Sequence, residues 1–346
     1  MNYYPVIKFY YAEQEALHKV KTETKDHIIP IFESKRLTQK NIKKLSSNFK
    51  NIGGNIKKYW PNLFIYDFHS AFNDFKDIIQ TPLLDNNTDI IQLINNSMVR
   101  ESLSYIPCLH FDSPNWMIQS VSSLNINALA IRIRFADVPP SIEDYIYKRV
   151  EELVTNQFKN QEIYLLLDFQ NKNFPIEQLS KSIKSFSAIP KSHLIFINTS
   201  CPTEAKDVDR MSFTEVADRT DFNNYINLLK NHPTLSFGDY TIRLKDKPIS
   251  FVPKQENLSL NIFYTSEEYY LIGRSSQNKD NGIKNFHQVC KQIISSKYYK
   301  GKTFSFGDNS IHECANNTIK ISSFAETIKI GVNHHIELIV DQLRQF

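Results

Sequence analysis

The chain has 346 residues, 41% of them hydrophobic and 23% charged, with a formal net charge of +4. That balance describes a folded protein with a real core, of one large domain or two ordinary ones, and excludes a disordered or fibrous chain. The mild excess of base permits a phosphate or nucleic-acid ligand without arguing for one, because an electrostatic footprint requires clustering.

The densest basic stretch, Lys40 to Lys58, also fits the solvated face of a helix. The four cysteines, at 108, 201, 290 and 314, show no C-x-x-C spacing. A disulfide framework or a zinc site is therefore not expected, and the pattern suits a reducing cytoplasm. The N-terminal MNYYPVIKFYYAEQE lacks the basic start and apolar stretch of a signal peptide. With no apolar run long enough to cross a bilayer, a cytoplasmic location is the expectation.

Short apolar runs rich in Ile, Leu, Phe and Tyr recur at 6–9, 27–32, 63–66, 106–109, 129–133, 163–167, 194–197 and 235–237. They are apolar on both faces, as buried parallel strands are. Amphipathic stretches with helical periodicity lie between them at 12–20, 39–59, 90–103, 142–155, 176–186 and 222–229. Strands alternating with helices imply parallel β–α units, and this number within residues 1–246 predicts an α/β fold of the (β/α)8 TIM-barrel type. An open doubly wound sheet is the rival. It is weakened by the absence of a G-x-G-x-x-G after the first strand and by a total of eight glycines.

Past residue 246 the pattern changes. Segments 258–265 and 269–274 flank Ser266-Glu267-Glu268 and predict a β-hairpin. A helix at 286–295, a strand-like segment at 303–306 and a closing helix at 335–343 follow. Residues 247–346 are thus expected to complete or cover the barrel. Within them, Ser305-Phe306-Gly307-Asp308 echoes Ser236-Phe237-Gly238-Asp239. Such a segment suits a strand end, a tight turn and an Asp that caps or binds.

The strands end on polar or ionisable residues, which packing alone does not require. In a TIM barrel such residues gather at the C-terminal mouth. Lys8, Glu33, Asp67, Asp168 and Asp239 are the candidate catalytic groups. Arg132, Arg134, Asn198, His110 and His334 are candidate ligand contacts. Grouped carboxylates and a lysine suit acid–base work or a hard dication such as Mg²⁺. Arginines suit forked bonds to phosphate. The same residues also fit a neutralising network of ion pairs and helix caps. His334 and His335 are adjacent and point about 100° apart on a helix, so a shared metal is disfavoured. His312 and Glu313 form no H-E-x-x-H, and no G-x-S-x-G marks a nucleophile. Cys108 and Cys201 read as inert buried thiols.

Several motifs carry a resemblance. They are Y-x-P-V-x-K from Tyr3 to Lys8, I-x-P-x-x-E from Ile28 to Glu33, and F-G-D-Y from Phe237 to Tyr240. F-S-F-G-D-x-x-I-x-E-C runs from Phe304 to Cys314, and N-H-H-x-x-L-x-x-x-Q-L from Asn333 to Leu343. On these the chain resembles the phage beta-protein-like family, the beta family proteins. It departs from the family pattern at Thr327-Ile328-Lys329, where an aromatic and basic pair is common. The resemblance implies a phage or mobile-element setting and a part in phage–bacterium conflict, and it carries no settled reaction. Two functional expectations follow. One is a barrel-mouth site that binds a phosphate-bearing ligand, nucleotide or nucleic-acid end and hydrolyses a phosphoester. The other is a non-catalytic subunit that presents the Tyr264, Tyr269 and Tyr270 hairpin to a protein partner.

Overall fold

The computed structural model describes residues 1–34, 45–71, 89–205, 207–244 and 255–346. In chain order the elements are β1 (Tyr3–Lys8), α1 (Tyr11–His18), α2 (Thr22–Lys25), β2 (Ile31–Glu33), α3 (Leu45–Phe49) and α4 (Ile52–Tyr59). Next come β3 (Phe64–Asp67), α5 (Ile90–Arg100), β4 (Tyr105–His110), α6 (Asn115–Ser122), β5 (Ala128–Arg134), α7 (Glu143–Gln157) and β6 (Glu162–Gln170). They are followed by α8 (Ile176–Phe186), β7 (Ser192–Asn198), β8 (Ser212–Asp218), α9 (Thr220–Leu229) and β9 (Ser236–Asp239). The last are β10 (Ser259–Thr265), β11 (Tyr269–Gln277), α10 (Phe286–Ser295), α11 (Phe306–Ala315) and α12 (Phe324–Leu343).

Strands β1 to β7 and β9 close into a barrel in which every neighbouring pair is parallel, with helices alternating between them. The fold is the expected (β/α)8 barrel. Alternation explains why the strands are apolar on both faces. Val6, Ile31, Ile65, Cys108, Leu166 and Ile197 fill the interior, while Ile7, Phe32, Tyr66, Leu109, Leu167 and Phe196 pack outward. Closure between β1 and β9 depends on Gly238, where an added Cβ would lie 2.6 Å from the Tyr4 carbonyl oxygen.

The C-terminal part differs from its sequence reading in three places. The hairpin of β10 and β11 forms as expected, but a further strand, β8, pairs antiparallel with β11 and makes a three-stranded sheet. Segment 303–306 is not a strand. Ser305 is the N-cap of α11 and accepts from the Asp308 N–H at 2.9 Å, so the chain turns into a helix there. Helix α12 begins at Phe324 rather than 335, because Ser323 and Glu326 form a capping box.

Helix α12 packs on β1, α1 and β10. Buried Glu337 accepts from the Lys21 N–H and the Thr24 hydroxyl, each at 2.7 Å, and Asn333 donates to the Ala16 carbonyl at 3.2 Å. The point between 246 and 247 lies outside the described residues. Among the described residues, no helix is long and apolar enough to cross a membrane.

Candidate active site at the barrel mouth

One local device recurs at three strand exits. Asp67 Oδ1 accepts from the N–H of His69 (2.9 Å), Asp168 Oδ1 from that of Gln170 (3.1 Å), and Asp239 Oδ1 from that of Thr241 (2.8 Å). Each carboxylate thus caps the turn that leaves its own strand. Gln170 and Thr241 sit in the left-handed region, at φ 51° and 53°. That region is unfavourable for a β-branched Thr, and the aspartate bond holds it there.

The inward face of the mouth is organised by Arg132. Its Nε donates to Asp168 at 2.9 Å, and Nη1 donates to Asp67 at 2.7 Å and to Glu33 at 3.0 Å. Its Nη2 donates to the Tyr240 hydroxyl at 2.6 Å, which in turn donates to Asp168 at 2.6 Å. Burial works against the charge of Arg132, but Tyr240, Asp168, Glu33 and Asp67 outweigh it and raise its pKa. Burial would raise the Asp67 carboxyl; His110 and Arg132 overcome this and hold it well below the usual carboxylate range. Burial pushes the Tyr240 phenol up, so it stays a donor.

Every nitrogen of Arg132 already faces a protein acceptor. Arg132 is therefore a clamp within the network and does not offer the forked phosphate contact expected of it.

Beyond Asp67 the mouth turns to histidine. His110 Nε2 lies 3.0 Å from Asp67 Oδ2, and the His110 ring stacks on His69 with centroids 3.8 Å apart. Ser113 accepts from the His110 N–H at 2.9 Å. His69, His110 and Asp112 bring one nitrogen or oxygen each to within 4.8 Å of one another. Beside them Asp112, Ser113, Tyr145, Lys148 and Arg149 line an open groove of about 480 Å³.

On β1, next to β2, Lys8 stands in register with Glu33. Because β5 runs on to Arg134, that side chain shares the inward face of Arg132 and pairs at the rim with Asp137 at 3.0 Å. Asn198 donates to the Gln170 carbonyl at 2.8 Å and braces the left-handed turn.

Two expected members of the mouth lie elsewhere. The phase of β9 puts Gly238 and Tyr240 inward, so Asp239, one residue off, points out of the barrel. There it accepts from Tyr3 (2.5 Å) and meets His335 Nε2 (2.8 Å). His334 is buried in the C-terminal part, with Nδ1 at 2.7 Å from Asp308 and Nε2 at 2.7 Å from the Thr265 carbonyl. The two Ser-Phe-Gly-Asp copies thus each hold one histidine of the adjacent pair. Asp239 and His334 form the seam between barrel and extension, apart from Glu33, Asp67, Asp168, Arg132 and His110.

Tyr240, His69 and Asp112 are not among the site residues expected from the sequence. A signal for the turns existed in Asp67-Phe68-His69, Asp168-Phe169-Gln170 and Asp239-Tyr240-Thr241, an Asp-aromatic-polar triplet at three strand ends. No curated protein matches the chain. The family described as Beta protein matches residues 3–341, spanning the barrel, the three-stranded sheet and α12 alike. A match over nearly the whole length makes the chain a member of the Beta protein family.

Proposed function

We propose that the barrel mouth is a cation-assisted site for a phosphate-bearing ligand and that it hydrolyses a phosphoester. The observation that carries this reading is the charge arrangement around Arg132. Three carboxylates, Glu33, Asp67 and Asp168, meet one guanidinium, and Lys8 is the register neighbour of Glu33. Among the described residues, and with the His110 ring that faces Asp67 at 3.0 Å neutral, Arg132 and Lys8 leave one carboxylate charge without a fixed counterpart. A buried unmatched charge is costly, so the mouth favours a further cation. A dication held there would polarise a phosphoryl oxygen and lower the pKa of a bound water. Glu33, the most exposed of the three at 12%, would take the proton of that water. Lys148 and Arg149 in the neighbouring groove, with Arg134 at the rim, supply contacts for phosphate oxygens.

The setting we infer, phage–bacterium conflict inside the cell, is supported by the family resemblance. The alternative of an aromatic hairpin shown to a protein partner keeps only half-buried Tyr269 of its three tyrosines. Tyr264 and Tyr270 are buried, donating to Asp308 at 2.8 Å and to Asp221 at 2.6 Å.

Hydrolysis of bis(p-nitrophenyl) phosphate with Mg²⁺, Mn²⁺ or Zn²⁺, together with thermal shifts produced by mononucleotides, tests the proposal. Turnover lost in Glu33→Gln, and a nucleotide shift lost in a Lys148→Glu/Arg149→Glu double variant, are the expected results. Absence of both turnover and shift in the native chain would sink it.

A further inference from the structure

We propose that His69, His110 and Asp112 form a binding site for a transition-metal dication of the Zn²⁺ class. The proposal rests on the cation-assisted mouth inferred above and names the ligands of its cation. The three residues leave two neighbouring strands: His69 follows β3 by two positions, His110 ends β4, and Asp112 lies two positions beyond it. Parallel pairing of β3 with β4, in which Asp67 stands opposite Cys108, brings the two exits side by side. Each residue contributes one donor atom, and the three atoms lie within 4.8 Å of one another.

Asp67 stands behind this triad and organises it without being one of its members. One oxygen takes the His69 backbone N–H (2.9 Å) and the other faces His110 Nε2 (3.0 Å). With Nε2–H directed at a carboxylate, the lone pair of His110 lies on Nδ1, which has no hydrogen-bond partner among the described residues. A carboxylate behind a ligating histidine fixes the tautomer, aims the ring and raises its basicity. The Ser113 hydroxyl, accepting from the His110 N–H, holds the loop that carries Asp112.

Two imidazoles and one carboxylate suit Zn²⁺ or a neighbouring transition metal. Mg²⁺ prefers an all-oxygen shell. Three protein ligands leave a position for water or a phosphoryl oxygen. Asp112 also borders the groove that holds Lys148 and Arg149, so a ligand on the metal would reach both cations.

The two rings now lie parallel, 6° apart in plane. Lone pairs of parallel stacked rings do not converge, so ligation turns the His69 ring out of the stack while Asp67 holds that of His110. The donor atoms then close to about 3.4 Å, as bonds of about 2.1 Å in a tetrahedral shell require. His69 and Asp112 hold other contacts as well, which the ion would exchange.

The test is calorimetric titration of the chelator-stripped full chain with ZnCl2, with MgCl2 in parallel. We expect one equivalent of Zn²⁺, with Mg²⁺ far weaker. His69→Ala and Asp112→Ala should each weaken Zn²⁺ by at least about 100-fold, and Asp67→Asn by about 10–100-fold. Asp112 is exposed, so Asp112→Ala should keep the melting temperature of the stripped chain and answers the question without a folding defect. A native chain that binds no Zn²⁺, or an Asp112→Ala chain that binds it as tightly as the native one, overturns the site.

Phosphoester assays separate the two proposals. Zn²⁺ bound at the triad with neither phosphate binding nor turnover would retain this site and remove the phosphoester reading. Phosphoester turnover that depends on an added dication in a native chain that binds no Zn²⁺ would do the reverse.

Discussion

His335 Nε2 lies 2.8 Å from Asp239 Oδ2 with both side chains fully buried, which ties the last helix to the exit of the strand that closes the barrel. The other ring nitrogen of His335 meets the Thr265 hydroxyl at 2.9 Å, so one imidazole joins the barrel, α12 and the hairpin. His335→Ala would leave a buried carboxylate short of a partner, at a cost of about 3–5 kcal/mol. Urea denaturation should show that loss in the unfolding free energy, while Zn²⁺ and phosphate binding at the mouth keep their native affinities. A loss below about 1 kcal/mol would mean that the seam is held by packing alone.

Asp308 predicts a pH dependence. Burial would raise its carboxyl, but His334 and hydrogen bonds from Ser305 and Tyr264 outweigh that and lower its pKa. A folded value below the unfolded one stabilises the protein in full above the unfolded value, about 3.9. The stabilisation fades as the pH falls through the folded value. Asp308→Asn should therefore lower stability at neutral pH and flatten the acid limb below about pH 4. Melting temperatures of both chains between pH 2 and 7 measure this, and parallel curves would refute it.

The barrel was legible because its strands announce themselves locally: runs such as 129–133 and 163–167 are apolar on both faces, and only a parallel sheet covered by helices buries both. The mouth was legible in part. Glu33, Asp67, Arg132 and Asp168 share the inward phase of their strands, whereas Asp239 looks identical in sequence and lies one residue out of phase. Phase depends on the register between β9, β1 and β7, a non-local property that a strand-end carboxylate does not reveal. His69 and Asp112 were missed for a similar reason. They lie past the ends of their strands, and what unites them with His110 is the adjacency of β3 and β4. Strand β8 lacks the apolar signature because much of it stays exposed, and it exists as a partner for β11.

The capping box of α12 offers a smaller test. The Ser323 hydroxyl accepts from the Glu326 N–H at 3.2 Å, and Glu326 reaches back to the Ser323 N–H at 3.0 Å. Ser323→Ala should cost about 1 kcal/mol, and Ser323→Asp should restore most of it. Hydrogen exchange at the amides of Glu326 and Thr327 reports the fraying directly; unchanged protection in Ser323→Ala would show that the cap is redundant.

Arg132 gives the sharpest distinction between clamp and ligand contact. Removing its charge in Arg132→Met leaves Glu33, Asp67 and Asp168 facing one another in a buried site, and should cost about 3–5 kcal/mol. Arg132→Lys keeps one positive charge but lacks the planar fork that reaches three carboxylates and Tyr240 together, so it should recover less than half of that loss. A bound dication would neutralise part of the same repulsion. Zn²⁺ should therefore raise the melting temperature of Arg132→Met by more than that of the native chain. If Arg132→Met were as stable as the native chain yet lost phosphate binding, the guanidinium would be a ligand contact after all and the clamp assignment would fail.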